Sequence, residues 1–187
     1  MFLHLAKPLT DEEVARIQTI AAEGTFVDGG ATAPGLAEAG VKRNEQLATN
    51  TREYKSFTEI VRGALGRHET FRTACLPKVI LPPLLARYRT GMGYGSHVDN
   101  PIRNLAGPGG AAPVRLDLSL TLFLTGPKDY DGGELVIETP YGEKAVKLPA
   151  GQGVVYPTTM VHRVNDVTSG ERLVGAHLVA AAHRPGV

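Results

Sequence analysis

The sequence has a single cysteine, Cys75, and no tryptophan. One cysteine cannot close an intramolecular disulfide and cannot build a thiolate-rich zinc centre, so any metal must be held by nitrogen and oxygen. That usage suits a reducing compartment, and the cytoplasm is the expected location. Long hydrophobic runs are missing too. Nothing approaches the ~20 apolar residues that cross a bilayer, and Met1 to Leu9 carries too short an apolar stretch for a secretory signal, so no membrane partner is expected. Charge of one sign is not in excess either: 20 Lys and Arg are interleaved with 19 Asp and Glu, for a net charge of +1. This leaves no basic footprint for nucleic acid and points to a small or local partner.

Aromatics are scarce at 6%, whereas the chain has 22 Gly and 13 Pro, a bias expected where many short strands are joined by turns. A length of 187 residues suits one domain with a real core. Thr10-Asp-Glu-Glu13 reads as a capping box that opens a helix, with Val14, Ile17 and Ala21 at helical spacing and an end near Gly24. Residues 29–40 are rich in Gly, Ala and Pro without any period and read as a flexible loop. A second helix is expected over residues 50–65, because Tyr54, Phe57, Ile60, Val61, Ala64 and Leu65 share one face. From Val79 the grammar changes to short runs rich in β-branched residues: 79–90, 115–125, 133–138, 143–148, 153–157, 161–167 and 171–180. Pro140-Tyr-Gly142 reads as a hairpin turn and Ala150-Gly-Gln-Gly153 as another. The expected architecture is α+β and mainly β, a sandwich or barrel such as a jelly roll with helices packed outside. Residues 1–78 would form an N-terminal helical support and loop region, and 79–187 the strand-built core carrying the site.

Ser96-His-Val-Asp99 sets two ligand-type residues at i and i+2, which on a strand share a face. A third, His162, lies in Tyr156-Pro-Thr-Thr-Met-Val-His-Arg-Val164, a strand after a turn. Two histidines and one carboxylate form the facial triad typical of non-haem iron(II), which leaves three positions for a bidentate 2-oxo acid and O₂. A His-x-Asp pair alone is more often surface polarity; Arg172, on the next strand, makes the set specific, because a buried guanidinium there would grip the far carboxylate of 2-oxoglutarate. Without the triad, Arg172 would read as an exposed partner for an acidic residue, next to Glu171. Asn100, Arg103 and the Lys42-Arg-Asn44 segment could face the open side of the metal and touch substrate, or could be solvated loop residues. His4, His68, His177 and His183 have no paired ligand spacing and read as ordinary surface or core residues. A cupin-like metal-binding barrel is one alternative, since Gly153-Val-Val-Tyr-Pro157 with His162 and Asn165 is similar to the second cupin motif. However, His97-x-Asp99 is not the His-x-His of the first. A non-catalytic iron-responsive protein is the other alternative.

The run Arg87-Tyr-Arg-Thr-Gly-Met-Gly-Tyr-Gly-Ser-His-Val-Asp-Asn100, with Arg115-Leu-Asp-Leu-Ser-Leu-Thr-Leu-Phe-Leu124, Tyr130-Asp-Gly-Gly-Glu134, Lys147-Leu-Pro-Ala-Gly151 and Val41-Lys-Arg-Asn-Glu-Gln-Leu47, resembles the PKHD-type hydroxylases. These are bacterial relatives of the prolyl 4-hydroxylase catalytic domain within the iron(II)- and 2-oxoglutarate-dependent dioxygenases. The resemblance covers nearly the whole chain. It implies a double-stranded β-helix, iron at His97, Asp99 and His162, and the cosubstrate carboxylate at Arg172 with Tyr88 beside it. It also implies hydroxylation of an unactivated C–H bond in a small molecule, amino acid or peptidyl substrate, with release of succinate and CO₂. Ascorbate is the auxiliary reductant often described for the family, and a homodimer is one open option for assembly. Members usually run on for several tens of residues, into helices, past the strand bearing the arginine. This sequence ends at Val187, and its Leu173-Val-Gly-Ala-His-Leu-Val179 lacks the aromatics expected there.

Overall fold

Thr10 starts the first helix as its sequence predicts: its hydroxyl accepts from the Glu13 amide at 3.2 Å, and the Glu13 carboxylate accepts from the Thr10 amide at 2.9 Å. The structure is a computed structural model, and it describes residues 2–107 and 110–182; His183 lies outside them. In chain order the elements are β1 (Leu3–Leu5), α1 (Asp11–Glu23), β2 (Phe26–Asp28), a 3₁₀ turn (Gly29–Thr32), α2 (Pro34–Glu38), β3 (Lys42–Arg43), β4 (Glu45–Leu47), α3 (Arg52–Arg67) and α4 (Glu69–Cys75). There follow β5 (Pro77–Ile80), β6 (Leu84–Arg89), β7 (Gly93–His97), β8 (Ile102–Gly107), β9 (Gly110–Arg115), β10 (Leu118–Phe123) and β11 (Tyr130–Gly132). The chain closes with β12 (Leu135–Thr139), β13 (Gly142–Val146), β14 (Gly153–Pro157), β15 (His162–Val164) and β16 (Val167–Ala181). The fold is thus mainly β with few helices. No helix among the described residues is long and apolar enough to cross a membrane.

Three sheets result, and every strand pair is antiparallel. The largest runs β1-β14-β10-β16-β6-β4-β2, with β11 and β5 also paired to β16; the second runs β13-β12-β15-β7-β3; β8 and β9 form a separate hairpin. Period-two alternation divides the large sheet into two faces. Leu85, Leu118, Leu120, Leu122, Val155, Leu173 and Val179 join Val14, Ile17, Phe57, Ile60, Val61 and Phe71 of the helices in one buried cluster. Their sequence neighbours Ala86, Tyr88, Phe123, Val154, Tyr156 and Val174 turn the other way and pack with Leu135, Ile137 and Val164 of the second sheet. Each such buried side chain contributes about 1.5–3 kcal/mol. On that second face stand also Ser119, Thr121 and Arg172, polar residues in otherwise apolar strands, so the site-bearing face is written into the alternation.

Two expectations need correction. Residues 29–40, read as a loop, hold the 3₁₀ turn and α2, because the Asp28 carboxylate accepts from the Gly30 amide at 2.8 Å and Pro34 stands at the start of α2, where a missing N–H costs nothing. The run 79–90 is not one strand: Pro82 and Pro83 cannot donate to a ladder, and the chain breaks there into β5 and β6.

Candidate metal centre and its cavity

β7 and β15 are neighbours, and their register places His162 across from His97, with ring centroids 4.2 Å apart. The strand expected to carry both His97 and Asp99 ends at His97. Asp99 reaches the same point from the segment just beyond it, and one ligand-type atom from each of the three residues lies within 4.8 Å of the others. His97 Nδ1 is 2.8 Å from the Gly95 carbonyl, and His162 Nδ1 is 3.0 Å from that of Met160. A carbonyl only accepts, so Nδ1 carries a proton in both rings and each Nε2 is the ring nitrogen turned toward Asp99. These Nε2 atoms stand 3.9 and 3.7 Å from the Asp99 oxygens, too far for a hydrogen bond.

Three ligand-type side chains thus converge, an arrangement that a cation satisfies. Ser119 Oγ donates to Asp99 Oδ2 at 2.6 Å and fixes the carboxylate. Tyr94 stacks on His97 at 3.6 Å between centroids, and Tyr156 meets His162 edge-on at 5.1 Å. Burial, together with the neighbouring His162, pushes His97 down to about 4, so it is neutral and free to ligate near pH 7. Two imidazole nitrogens, one carboxylate and no thiolate fit iron(II) by donor chemistry.

Arg172 is 1% exposed, and its Nε and Nη1 have no hydrogen-bond partner among the described residues. It is the cross-strand partner of Tyr88, with its guanidinium 5.0 Å from that ring's centroid and 5.6 Å from that of Phe123. The alternative of an exposed pairing falls to its neighbour: Glu171 lies 3.5 Å from Arg89, while Arg172 turns inward. A buried, unpaired guanidinium is costly unless a ligand anion completes it. Gly132 and Gly133, with φ of +67° and +64°, let β11 pass beside it; a Cβ on Gly133 would sit 3.2 Å from Arg172 Cδ, and one on Gly132 2.2 Å from the Asp166 carbonyl.

His97, Asp99, His162, Arg172, Tyr88 and Asn44 line one cavity of about 750 Å³, a size suited to a small ligand. Asn100 and Arg103 line it too, from exposed positions, and the Asn100 carboxamide oxygen accepts from the Ile102 amide at 3.0 Å. Among the wall residues that escaped the sequence reading are Ser119, Gln46 and Thr32. Lys42, named there only as part of a polar segment, is buried in the same wall, and burial pulls its ammonium down to about 8 against the opposing pull of Asp99 and Asp28. The alternation of polar and apolar residues in Leu118-Ser-Leu-Thr-Leu122 was the available signal for Ser119, whereas residues 42–46 are polar throughout and carry none. Of the remaining described histidines, only His177 also borders this cavity. His4 bonds Gln152, His68 caps α4, and His177 is buried with neither ring nitrogen partnered.

A family model described as "2OG-Fe(II) oxygenase superfamily" matches residues 83–178, a span containing all three converging residues and Arg172. A PKHD-type hydroxylase of Gluconacetobacter diazotrophicus is 47% identical over 92% of this chain and 75% of that one. The chain belongs to the PKHD-type hydroxylases of the 2OG-Fe(II) oxygenase superfamily. It is therefore an enzyme, an iron(II)/2-oxoglutarate-dependent dioxygenase, and neither a cupin-like barrel nor a non-catalytic relative. Among solved structures, a prolyl-4-hydroxylase of Pseudomonas putida is similar with a TM-score of 0.65 at 18% identity, covering 97% of this chain and 92% of that one. A prolyl hydroxylase of Trichoplax adhaerens, in complex with a hypoxia inducible factor peptide fragment, has a TM-score of 0.64 at 17% identity over 96% and 83%. Identities this low carry the fold alone.

Proposed function

We propose that His97, Asp99 and His162 hold iron(II), that Arg172 binds the distal carboxylate of 2-oxoglutarate, and that the enzyme hydroxylates an unactivated C–H bond of a small-molecule, amino acid or peptidyl substrate. The observation that carries this reading is the pairing, in one cavity, of a cluster of three ligand-type side chains with a buried guanidinium whose Nε and Nη1 lack a partner. Bound there, iron(II) supplies the activation of O₂ that couples oxidative decarboxylation of 2-oxoglutarate, to succinate and CO₂, with hydroxylation. The chain's own groups do the rest. His97 and His162 present Nε2, Ser119 holds the Asp99 carboxylate in one orientation, and Arg172 offers a planar fork that fixes the cosubstrate's far end. Tyr88, whose hydroxyl is kept protonated by burial, stands beside that fork as a cosubstrate contact. The apolar wall of Ala86, Val174 and Leu135 excludes water from the space between.

In this reading the two larger sheets form a double-stranded β-helix over the described residues of 79–187, supported by the helices and short strands among the described residues of 1–78, within one structural domain. Asn44, Asn100 and Arg103 face the substrate from the cavity wall and mouth. The peptide held by the Trichoplax adhaerens neighbour favours keeping peptidyl substrates among the candidates. The lone, buried Cys75, its thiol pushed up to about 11, suits a reducing cytoplasm. No residue of the site is assigned to ascorbate. The test is succinate formation by the purified protein: it is expected to require iron(II), O₂ and 2-oxoglutarate together, and its absence under those conditions would overturn the proposal.

A further inference from the structure

Lys42 is a second buried cation in the cavity that holds Arg172, and no role described above uses it. Along residues 42–46 the side chains alternate. Arg43 and Glu45 turn outward, to Asp166 at 2.7 Å and Arg87 at 2.8 Å, while Lys42, Asn44 and Gln46 turn into the cavity wall and are 7%, 5% and 6% exposed. Thr32, from the 3₁₀ turn, closes the group, its hydroxyl oxygen accepting from both Lys42 Nζ and Gln46 Nε2. The ammonium lies 5.2 Å from the centroid of Tyr94, the ring stacked on His97, so it stands beside the metal centre.

An ammonium has three protons to donate, and among the described residues only Thr32 takes one; no carboxylate lies within ion-pair distance. Asp28 is exposed and occupied by the Gly30 amide. Asn44 Oδ1, in contrast, is packed against Gly29, where a Cβ would come within 2.0 Å of it. Charge within the loaded cavity tells the same story. The two charges of the metal balance the two carboxylates of 2-oxoglutarate, Asp99 balances Arg172, and the buried charge left over is Lys42. Arg103, at the mouth, is in water.

We propose that Lys42 and Gln46 form the subsite for a carboxylate of the primary substrate. This rests on the enzyme reading above and narrows its substrate class to acids, such as an N-acyl amino acid or an acidic peptide.

The test uses the anaerobic iron(II)–2-oxoglutarate complex of the full chain, so that the metal and Arg172 are already occupied. N-acetylglycine, its neutral isostere N-acetylglycinamide, and acetyl-alanyl-glutamyl-alaninamide are titrated in, with binding read by ligand-observed NMR. Losing one charge-assisted contact changes affinity by ~tenfold, so N-acetylglycine or the peptide should bind at least that much more tightly than the carboxamide. The tighter of the two acids tells a free small molecule from a peptide. Lys42→Met should abolish the preference and Lys42→Arg should keep it, while the 2-oxoglutarate titration of each variant stays within about twofold of wild type, which also reports an intact fold. Equal binding of acid and amide in the wild type, no binding of either acid, displacement of 2-oxoglutarate by the acids, or a preference that survives Lys42→Met would each overturn the proposal. If the wild type binds no 2-oxoglutarate at all, the parent reading fails first, and visibly so.

Discussion

His162 faces His97 across the β7–β15 pairing, so two imidazoles far apart in sequence are brought together by strand register alone. A slip of one residue in that register would turn one ring to the opposite face of the sheet. The register shift between His162 and Val164 falls at this spot and belongs to the geometry of the centre.

Removing the carboxylate should separate metal binding from folding. Asp99 is a partly exposed residue just beyond a strand end, so Asp99→Ala is expected to leave the metal-free protein's thermal unfolding nearly unchanged while iron(II) binding and succinate formation are lost. Ser119→Ala removes the 2.6 Å hydrogen bond to Asp99 and should weaken metal affinity by about 10–100-fold. Metal titration of the two variants checks both, and wild-type affinity in Asp99→Ala would refute its role.

His177 sets an acid limit on stability. Burial holds it down to about 3 from an ordinary 6.5, so the unfolded chain takes up a proton that the folded one refuses. The associated stability is complete above 6.5 and is lost as pH falls from 6.5 toward 3, by about 2 kcal/mol at pH 5. The depressed His97 acts in the same direction in the metal-free protein. Comparing wild type with His177→Leu therefore isolates the His177 share. The leucine variant should lose less between pH 8 and pH 5 in urea unfolding, and should be more stable at pH 8 by roughly 1–3 kcal/mol, since two buried nitrogens without partners are removed. Parallel curves would contradict this.

Gly132 carries φ of +67°, and a Cβ there would come within 2.2 Å of the Asp166 carbonyl. Gly132→Ala combines left-handed strain with a backbone clash and should destabilise by at least about 2 kcal/mol. A denaturant midpoint equal to wild type would show that the turn relaxes freely.

The parts legible in the sequence were those with a strong local code. The Thr10/Glu13 capping box, the apolar face of α3 and the run of β14 all rest on neighbours in the chain. The convergence of His97, Asp99 and His162 was legible because few residue types serve as metal ligands, so that a His-x-Asp pair and one distal His stood out. β1 to β4 were not, since strands of two or three residues show no period and owe their existence to the partners they pair with. The β8–β9 hairpin was missed because the described positions of Ile102-Arg-Asn-Leu-Ala106 and of β9 are mostly exposed and carry no buried face to write a pattern. The wall of Thr32, Lys42, Asn44 and Gln46 was half legible. Residues 42–46 are polar throughout, so only the fold shows which of them turn toward the His97, Asp99 and His162 cluster.

The most direct test of the central claim follows Arg172, the group that distinguishes a 2-oxoglutarate enzyme from other proteins with the same three ligands. In a titration of 2-oxoglutarate into anaerobic iron(II) protein, followed by the charge-transfer band of a bidentate 2-oxo acid, the wild type should saturate. Arg172→Ala should bind at least tenfold more weakly, since an unpaired charge of this kind costs about 2–5 kcal/mol. Arg172→Lys should recover part of the loss, because the charge survives without the planar fork. Iron(II) affinity without cosubstrate should be equal in all three. An Arg172→Ala curve that overlays the wild type would show that the cosubstrate is anchored elsewhere and would contradict the account.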